Sequence, residues 1–302
     1  MNILVINAGS SSLKYQLIDT ASEKCLLKGL CDRIGMQGGS LEQKNAAGKQ
    51  YRVQADMPTH KEAIEIVLAA LTDAEAGAIA SVSEIGAVGH RVLHSGEDFH
   101  SSVVIDDDVV AKCEKNAELG PLHMPGNIAC IKSCREVMPA VPMVAVFDTT
   151  FHSTMPAKAY MYGIPYSAYE KFKVRKYGFH GTSHKFVSEE TIKLLGADKC
   201  RRLIVCHLGN GSSISAVKDG KCVDTSMGFT PLEGLIMGTR SGDIDPAAVE
   251  FMRAKLSMTP EDAVQFLNKK CGMLGISELD SDMRVLEKAI EEGNEKAALA
   301  VE

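Results

Sequence analysis

The chain has 302 residues, with 33 Lys and Arg against 39 Asp and Glu, and a formal net charge of −6. Hydrophobic residues make up 45% and charged residues 24%, a balance that excludes disordered, collagen-like and coiled-coil chains. The mild acidity disfavours nucleic-acid binding, no apolar run reaches the roughly 18 residues of a membrane span, and the length suits about two domains of roughly 150 residues.

Met1 to Asn7 reads as a buried strand and lacks the charged start and small-residue cleavage site of a signal peptide. The Gly/Ser/Asn stretch at 7–12 is a hairpin tip, and Leu13, Tyr15 and Leu17 alternate with polar residues on the way out. The Gly-, Gln- and Lys-rich stretch from Ile34 to Gln50 reads as exposed. Thr59 caps a helix whose apolar face is Ile64, Val67, Leu68 and Leu71. A buried strand over Ile85–Val88 runs into Gly89-His90-Arg91. Asp106 caps a helix to about Asn116, and a second helix covers Gly126 to Met138. The strand over Pro142–Phe147 ends at Asp148.

Residues 157–178 read as irregular structure with short helices. A helix from about Thr182 to Leu195 stops at Gly196, suited to the C′ position. The strand over Arg202–Cys206 leads into His207-Leu208-Gly209-Asn210-Gly211-Ser212-Ser213, a second polar tip, and Asp219-Gly220 marks a hairpin turn. Thr259-Pro260-Glu261-Asp262 is a helix start. Met283 to Glu302 reads as helix throughout.

The chain repeats itself. Ile3–Leu17 and Leu203–Val217 share one design, apolar strand, Gly/Ser/Asn tip and outgoing strand. One repeat at such a distance predicts two similarly folded α/β domains, residues 1–150 and 151–302, facing each other across a cleft rather than a solenoid. Few strand signals follow Asp224, and the final helix lacks a stop signal, so the second domain is expected to be incomplete. Nine cysteines without a C-x-x-C pair predict reduced thiols in a cytoplasmic protein.

A tip of Gly, Ser and Asn lets backbone N–H groups approach phosphate oxygens. Hydroxyls of Ser10, Ser11 and Ser12 add donors, Asn7 suits Mg²⁺ or its water, and Lys14 is a point charge for phosphate. A plain hairpin is the alternative for either tip alone; the matched pair favours a nucleotide clamp. Neither G-x-x-x-x-G-K-[ST] nor G-x-G-x-x-G is present. Arg91, Asp148 and His207 stand at strand ends, where α/β sheets bind ligands, and His180 lies in a Gly-rich turn. No histidine spacing resembles a zinc site. The long aperiodic loop 227–246 carries a single central Arg240 among small residues, which suits a functional loop.

N-A-G-S-S-S-L-K at 7–14, G-H-R at 89–91, F-D-T-x-F-H at 147–152, Y-G-F-H-G-T-S-H at 177–184, H-L-G-N-G-x-S at 207–213 and M-G-x-T-P-L-E-G-x-x-M-G-T-R-x-G-D-x-D-P at 227–246 together resemble the acetate kinase family. The resemblance implies duplicated ribonuclease H-like domains of the actin, Hsp70 and sugar kinase type, and reversible Mg²⁺-dependent transfer of phosphoryl between ATP and acetate, giving ADP and acetyl phosphate. Mn²⁺ is a further candidate metal, and a homodimer is implied.

By the same resemblance, Asn7 belongs to the metal site, and Lys14 with Ser10 and Ser12 to the nucleotide phosphates. Arg91 holds acetate and the moving phosphoryl, and Asp148 has the acidic catalytic place. His180 and Arg240 stabilise the transition state. His207, Leu208, Gly209, Asn210 and Gly211, with Asp282, Met283 and Arg284, contact ATP. Leu93, Leu122, Phe179 and Pro231 line the pocket for the acetate methyl.

Acetate is already ionised near pH 7, so direct in-line transfer needs no strong base and instead needs cationic groups to offset anionic repulsion. Family chains are longer, with a Gly-rich adenosine segment and a late metal-site Glu beyond the residues present here. Leu93, within Arg91-Val92-Leu93-His94-Ser95-Gly96, and Met124 depart from the usual residues, and Leu93 bears on acyl preference. The alternatives are a propionate or other short-chain carboxylate kinase, and more distantly a non-catalytic ATP-binding protein of the same fold.

Overall fold

Along the first strand Leu4, Ile6 and Ala8 alternate with Ile3, Val5 and Asn7, and this alternation divides the first half of the chain into a helix-covered face and an open one. The computed structural model describes residues 1–302 and separates into two units, Met1–Thr150 and Phe151–Glu302.

In the first unit the strands are β1 (Asn2–Ala8), β2 (Ser12–Asp19), β3 (Lys24–Asp32), β4 (Ser40–Asn45), β5 (Gln50–Gln54), β6 (Ile85–Val92), β7 (Val103–Val104) and β8 (Met143–Phe147). They form one sheet in the order β5-β4-β3-β2-β1-β6-β8-β7. β1, β6 and β8 run parallel to one another, and the remaining pairs are antiparallel. The parallel steps require crossovers. α1 (His60–Leu71) supplies the first, and α2 (Asp107–Lys115) and α3 (Met124–Val137) the second.

Thr59 starts α1 with a capping box closed by Glu62, and Asp106 caps α2. Ile64, Val67 and Leu71 of α1, with Ile128, Ile131 and Cys134 of α3, bury the face carrying Leu4, Ile6, Leu13 and Leu17. Fully burying one such side chain contributes roughly 1.5–3 kcal/mol.

The stretch from Ile34 to Gln50 is mostly exposed, as its composition suggests, but it also carries β4 and four buried positions, Ile34, Gly39, Leu41 and Gln43. Ile34 and Leu41 are core residues, and Gln43 is 2% exposed. Gln43 escapes a hydrophobic pattern because its burial is polar. It accepts from the Tyr15 hydroxyl at 2.8 Å and donates to the carbonyls of Ala70 and Ala76 at 2.7 and 3.0 Å. Gly29 makes this bond reachable, since a Cβ there would fall 2.3 Å from the Tyr15 ring.

The second unit opens with the short helices α4 (Ala157–Tyr160) and α5 (Tyr166–Phe172), followed by α6 (Gly181–Leu195). β9 (Arg202–Leu208), β10 (Ser212–Lys218) and β11 (Lys221–Thr225) form an antiparallel sheet in the order β11-β10-β9, with Asp219 and Gly220 at positive φ in the tight turn. Residues 226–245 are aperiodic, and five helices follow: α7 (Pro246–Lys255), α8 (Pro260–Lys269), α9 (Gly272–Ser277), α10 (Met283–Glu291) and α11 (Glu295–Val301).

The last two correct the expectation of one continuous helix. Gly293 adopts φ 88°, and Asn294 caps α11 through the Ala297 amide, so the backbone breaks there despite continuous apolar periodicity. Arg91 and His207 likewise lie inside β6 and β9 rather than beyond them, because a polar side chain on either face does not interrupt backbone ladder pairing. No helix is long and apolar enough to cross a membrane.

Candidate active site

In the first unit, cross-strand register assembles the site. Asn7 pairs with Lys14 across β1–β2 and with Arg91 across β1–β6, so the three share a row on the open face. Arg91 donates from Nε to Asp148 Oδ1 at 2.9 Å and Oδ2 at 3.2 Å, and from Nη2 to Oδ2 at 2.6 Å. Its Nη1 donates to Asn7 Oδ1 at 3.3 Å. Asp148 is 2% exposed, directly after β8, with its amide bonded to the Val92 carbonyl. The hydrogen bonds to Asp148 raise the Arg91 guanidinium above its ordinary value against the opposing effect of burial.

The tip holding Ser10 and Ser12 is braced from behind. Asn127 of α3 donates to the Ala8 carbonyl at 2.5 Å and accepts from the Leu93 amide at 2.9 Å. His60 Nε2 donates to the Gly9 carbonyl at 2.9 Å. A Cβ on Gly126 would stand 2.5 Å from that same carbonyl oxygen, so α3 can only approach with glycine there. Leu93 is half-buried against Gly120, Met124 is in the core, and Leu122 is 53% exposed on the turn before α3.

The second unit builds another cluster around the matching tip. His180 precedes α6 in the left-handed region, at φ 58° and ψ 22°, a strained setting for a residue with a Cβ. Its ring stacks on that of His207, centroids 4.1 Å apart. His180 Nδ1 lies 2.9 Å from Ser213 Oγ, and His207 Nδ1 lies 2.9 Å from Ser183 Oγ. The 226–245 loop folds onto the tip through a bond from the Gly238 amide to the Asn210 carbonyl, 3.0 Å. This brings Arg240 to Gly211, where an added Cβ would sit 3.1 Å from Arg240 Nη1 and 3.5 Å from His180 Nε2.

Arg240 donates to the Pro231 carbonyl at 3.3 Å and has no carboxylate in ion-pair range. Burial alone lowers it from its ordinary value. A half-buried guanidinium without a counter-charge is a candidate contact for an anion.

Leu208, Gly209, Asn210, Asp282 and Met283 share one groove of about 830 Å³. Arg284 pairs with Asp282, which caps α10, and its side chain is 87% exposed. Phe179 is 1% exposed.

Two sets of side chains bear on metal binding. Asn7 Oδ1 is a hard oxygen donor beside Asp148's partner, suited to a Mg²⁺ that keeps most of its waters. His90, Cys130 and Cys134 bring ligand atoms within 4.8 Å of one another in the core, a set of softer donors. Hydrogen bonding to Cys134 and burial hold the Cys130 thiol well above its ordinary value, and an ion there would have to displace thiol protons in an apolar interior.

Sequence reasoning missed the residues that hold others in place: Asn127 and His60 behind the first tip, and Ser213, Ser183 and His184 behind the second. The signal for His184 was its spacing, one helical turn after His180. Nothing local pointed to Asn127 or His60.

A family model described as the acetokinase family matches residues 2–302. The acetate kinase of Agathobacter rectalis is 58% identical over all of this chain and 76% of its own length. That of Helicobacter hepaticus is 58% identical over 99% of this chain and 75% of its own. Among solved structures, Porphyromonas gingivalis acetate kinase superposes with a TM-score of 0.95 at 44% identity, covering 99% of this chain and 75% of that one. A propionate kinase from Francisella tularensis gives 0.91 at 41% identity, covering 99% and 76%.

Proposed function

The chain belongs to the acetokinase family, and from that premise we propose that it transfers the γ-phosphoryl group of ATP directly to a carboxylate oxygen of acetate, reversibly, giving acetyl phosphate and ADP. The observation that carries the reading is the pair of arginines with opposite surroundings: Arg91 locked by a buried carboxylate, and Arg240 with none.

Asp148 and Asn7 occupy three of Arg91's five N–H groups, which leaves one on each terminal nitrogen for an anion. Asp148 therefore orients Arg91; it removes no proton, and an ionised carboxylate acceptor requires none to be removed. Arg91 and Lys14 offset repulsion between acetate and phosphate. Arg240 and His180 meet the charge that spreads over the transferring group in a loose transition state. Asn7 would hold Mg²⁺, which supplies positive charge to the phosphate oxygens when bound.

The first unit thus takes acetate and metal. The second takes the nucleotide, with Leu208, Gly209, Asn210, Asp282 and Met283 along the groove. The same reading includes a cytoplasmic homodimer. Leu93 and the propionate kinase neighbour favour a second acid as substrate: one methylene is worth about 1–3 kcal/mol, so propionate is expected to react within about 200-fold of acetate.

The test is trapping of acyl phosphate with hydroxylamine, using the 302-residue chain with Mg²⁺-ATP and acetate, propionate or butyrate, and the reverse reaction from acetyl phosphate and ADP. Acetohydroxamate that vanishes in Arg91→Ala supports the assignment. Undiminished product from Arg91→Ala overturns it.

A further inference from the structure

We propose that His184 and Ser213 are positioning residues that set the tautomer of His180, so that its Nε2 carries the proton and faces the phosphoryl group as a donor. This rests on the reading of His180 as a phosphoryl contact.

The argument starts at the buried end. His184 is 0% exposed. Its Nε2 lies 2.7 Å from Ser213 Oγ, and its Nδ1 has no hydrogen-bond partner. Burial, reinforced by the neighbouring His152 and His207, holds this ring neutral near neutral pH. A neutral imidazole has one donor nitrogen and one acceptor nitrogen. An orphaned buried N–H is rarer and costlier than an orphaned acceptor lone pair. The proton of His184 therefore sits on Nε2 and is donated to Ser213 Oγ.

Ser213 is also 0% exposed, and its hydroxyl has a single proton. With His184 donating to the oxygen, that proton points at the second neighbour, His180 Nδ1, 2.9 Å away. His180 then accepts at Nδ1 and keeps its own proton on Nε2. The Nε2–Cε1 edge of His180 shares the space beside Gly211 with Arg240 Nη1. The opposite tautomer would turn a lone pair toward an anionic oxygen.

The relay is thus directional, from His184 Nε2–H to Ser213 O–H to His180 Nδ1. Reversing it would place the His184 proton on the orphaned Nδ1. The tautomer is inherited from a buried ring that never meets substrate, in the way a triad's third member holds its histidine.

Nitrogen-15 NMR of the intact chain labelled at histidine reads the tautomer directly. The expected spectrum has His180 protonated at Nε2 and bare at Nδ1, and His184 likewise. A wild-type signal from Nδ1–H on His180 overturns the proposal, with or without measurable turnover, so the test does not depend on the activity reading. Ser213→Ala and His184→Phe are expected to mix the His180 tautomers and to lower kcat about 10- to 100-fold, with KM for acetate nearly unchanged.

His184→Gln places an amide N–H where Nε2–H stood. It is expected to restore both the spectrum and most of kcat, which a purely space-filling role for His184 would not require. If the wild type turns over and Ser213→Ala keeps full kcat with an unchanged His180 spectrum, the relay is wrong while the kinase reading stands.

Discussion

Arg91 and Asp148 meet as a two-point ion pair, Nε 2.9 Å from Oδ1 and Nη2 2.6 Å from Oδ2, with the carboxylate 2% exposed and the arginine side chain 42% exposed. The pair points a mobile cation rather than simply neutralising it. Asp148→Asn replaces one acceptor oxygen with an NH₂ facing the guanidinium. We expect kcat/KM to fall by about 10²–10³, the cost of misplacing one transition-state donor. Arg91→Ala should lose at least as much and also unfold at lower urea, because it strands a buried carboxylate. A stability order with Asp148→Asn below Arg91→Ala would contradict this account.

Gly126 tests the bracing of the first tip. Alanine suits a helix interior, so propensity alone predicts a gain of roughly 1 kcal/mol. The added Cβ would stand 2.5 Å from the Gly9 carbonyl oxygen and 3.1 Å from the Ser10 nitrogen, both backbone atoms. Overpacking of this kind costs about 1–3 kcal/mol. Gly126→Ala should therefore lower the denaturant midpoint and weaken nucleotide binding together; a stabilised, fully active variant would remove α3 from the account of the site.

The pH dependence has a definite sign. Burial lowers the His184 pKa from its ordinary 6.5 to about 3, with His152 and His207 adding to the shift. The unfolded chain then binds more protons between those values. The His184 contribution is complete above about pH 6.5 and is lost as pH falls toward 3, at up to about 1.4 kcal/mol per pH unit. The loss of stability between pH 7 and pH 5 should be smaller in His184→Gln than in the wild type. Equal slopes would mean that His184 is protonated in the folded chain.

Thiol chemistry follows burial. Cys25 and Cys206 are exposed and Cys271 is intermediate, whereas the other six of the nine cysteines are buried. Burial pushes Cys31 and Cys222 up to about 12 and Cys113 up to about 11, so their thiolates are scarce at neutral pH. Brief maleimide treatment at pH 7 should label Cys25 and Cys206 first, with all nine labelled only in denaturant. Early modification of Cys130 or Cys134, read by peptide mass spectrometry, would show that the first unit's core opens.

Much of the fold was legible because local signals agreed. The caps at Thr59, Asp106 and Thr259 and the turn at Asp219-Gly220 act within a few residues. The two matched tips were equally readable. Illegible elements were those where a local pattern competed with a distant partner. β4 was hidden because Gln43 satisfies its amide on α1 and Tyr15 rather than in water. The break at Gly293 was hidden because apolar spacing continues through it.

The chain's sequence by itself determined the family and the α/β class and nominated the residue types of the proposed site, since long motifs and strand–tip–strand patterns are written in neighbouring residues. Tertiary structure alone decided which groups hold those residues in place. Asp148 reaches Arg91 across 57 positions, Asn127 reaches Ala8 across 119, and Ser213 lies between His180 and His184 from a strand 29 positions beyond the latter. Hydrogen bonds act over about 3 Å of space whatever the separation along the chain, so the donor that orients a reactive group leaves no periodic trace beside it.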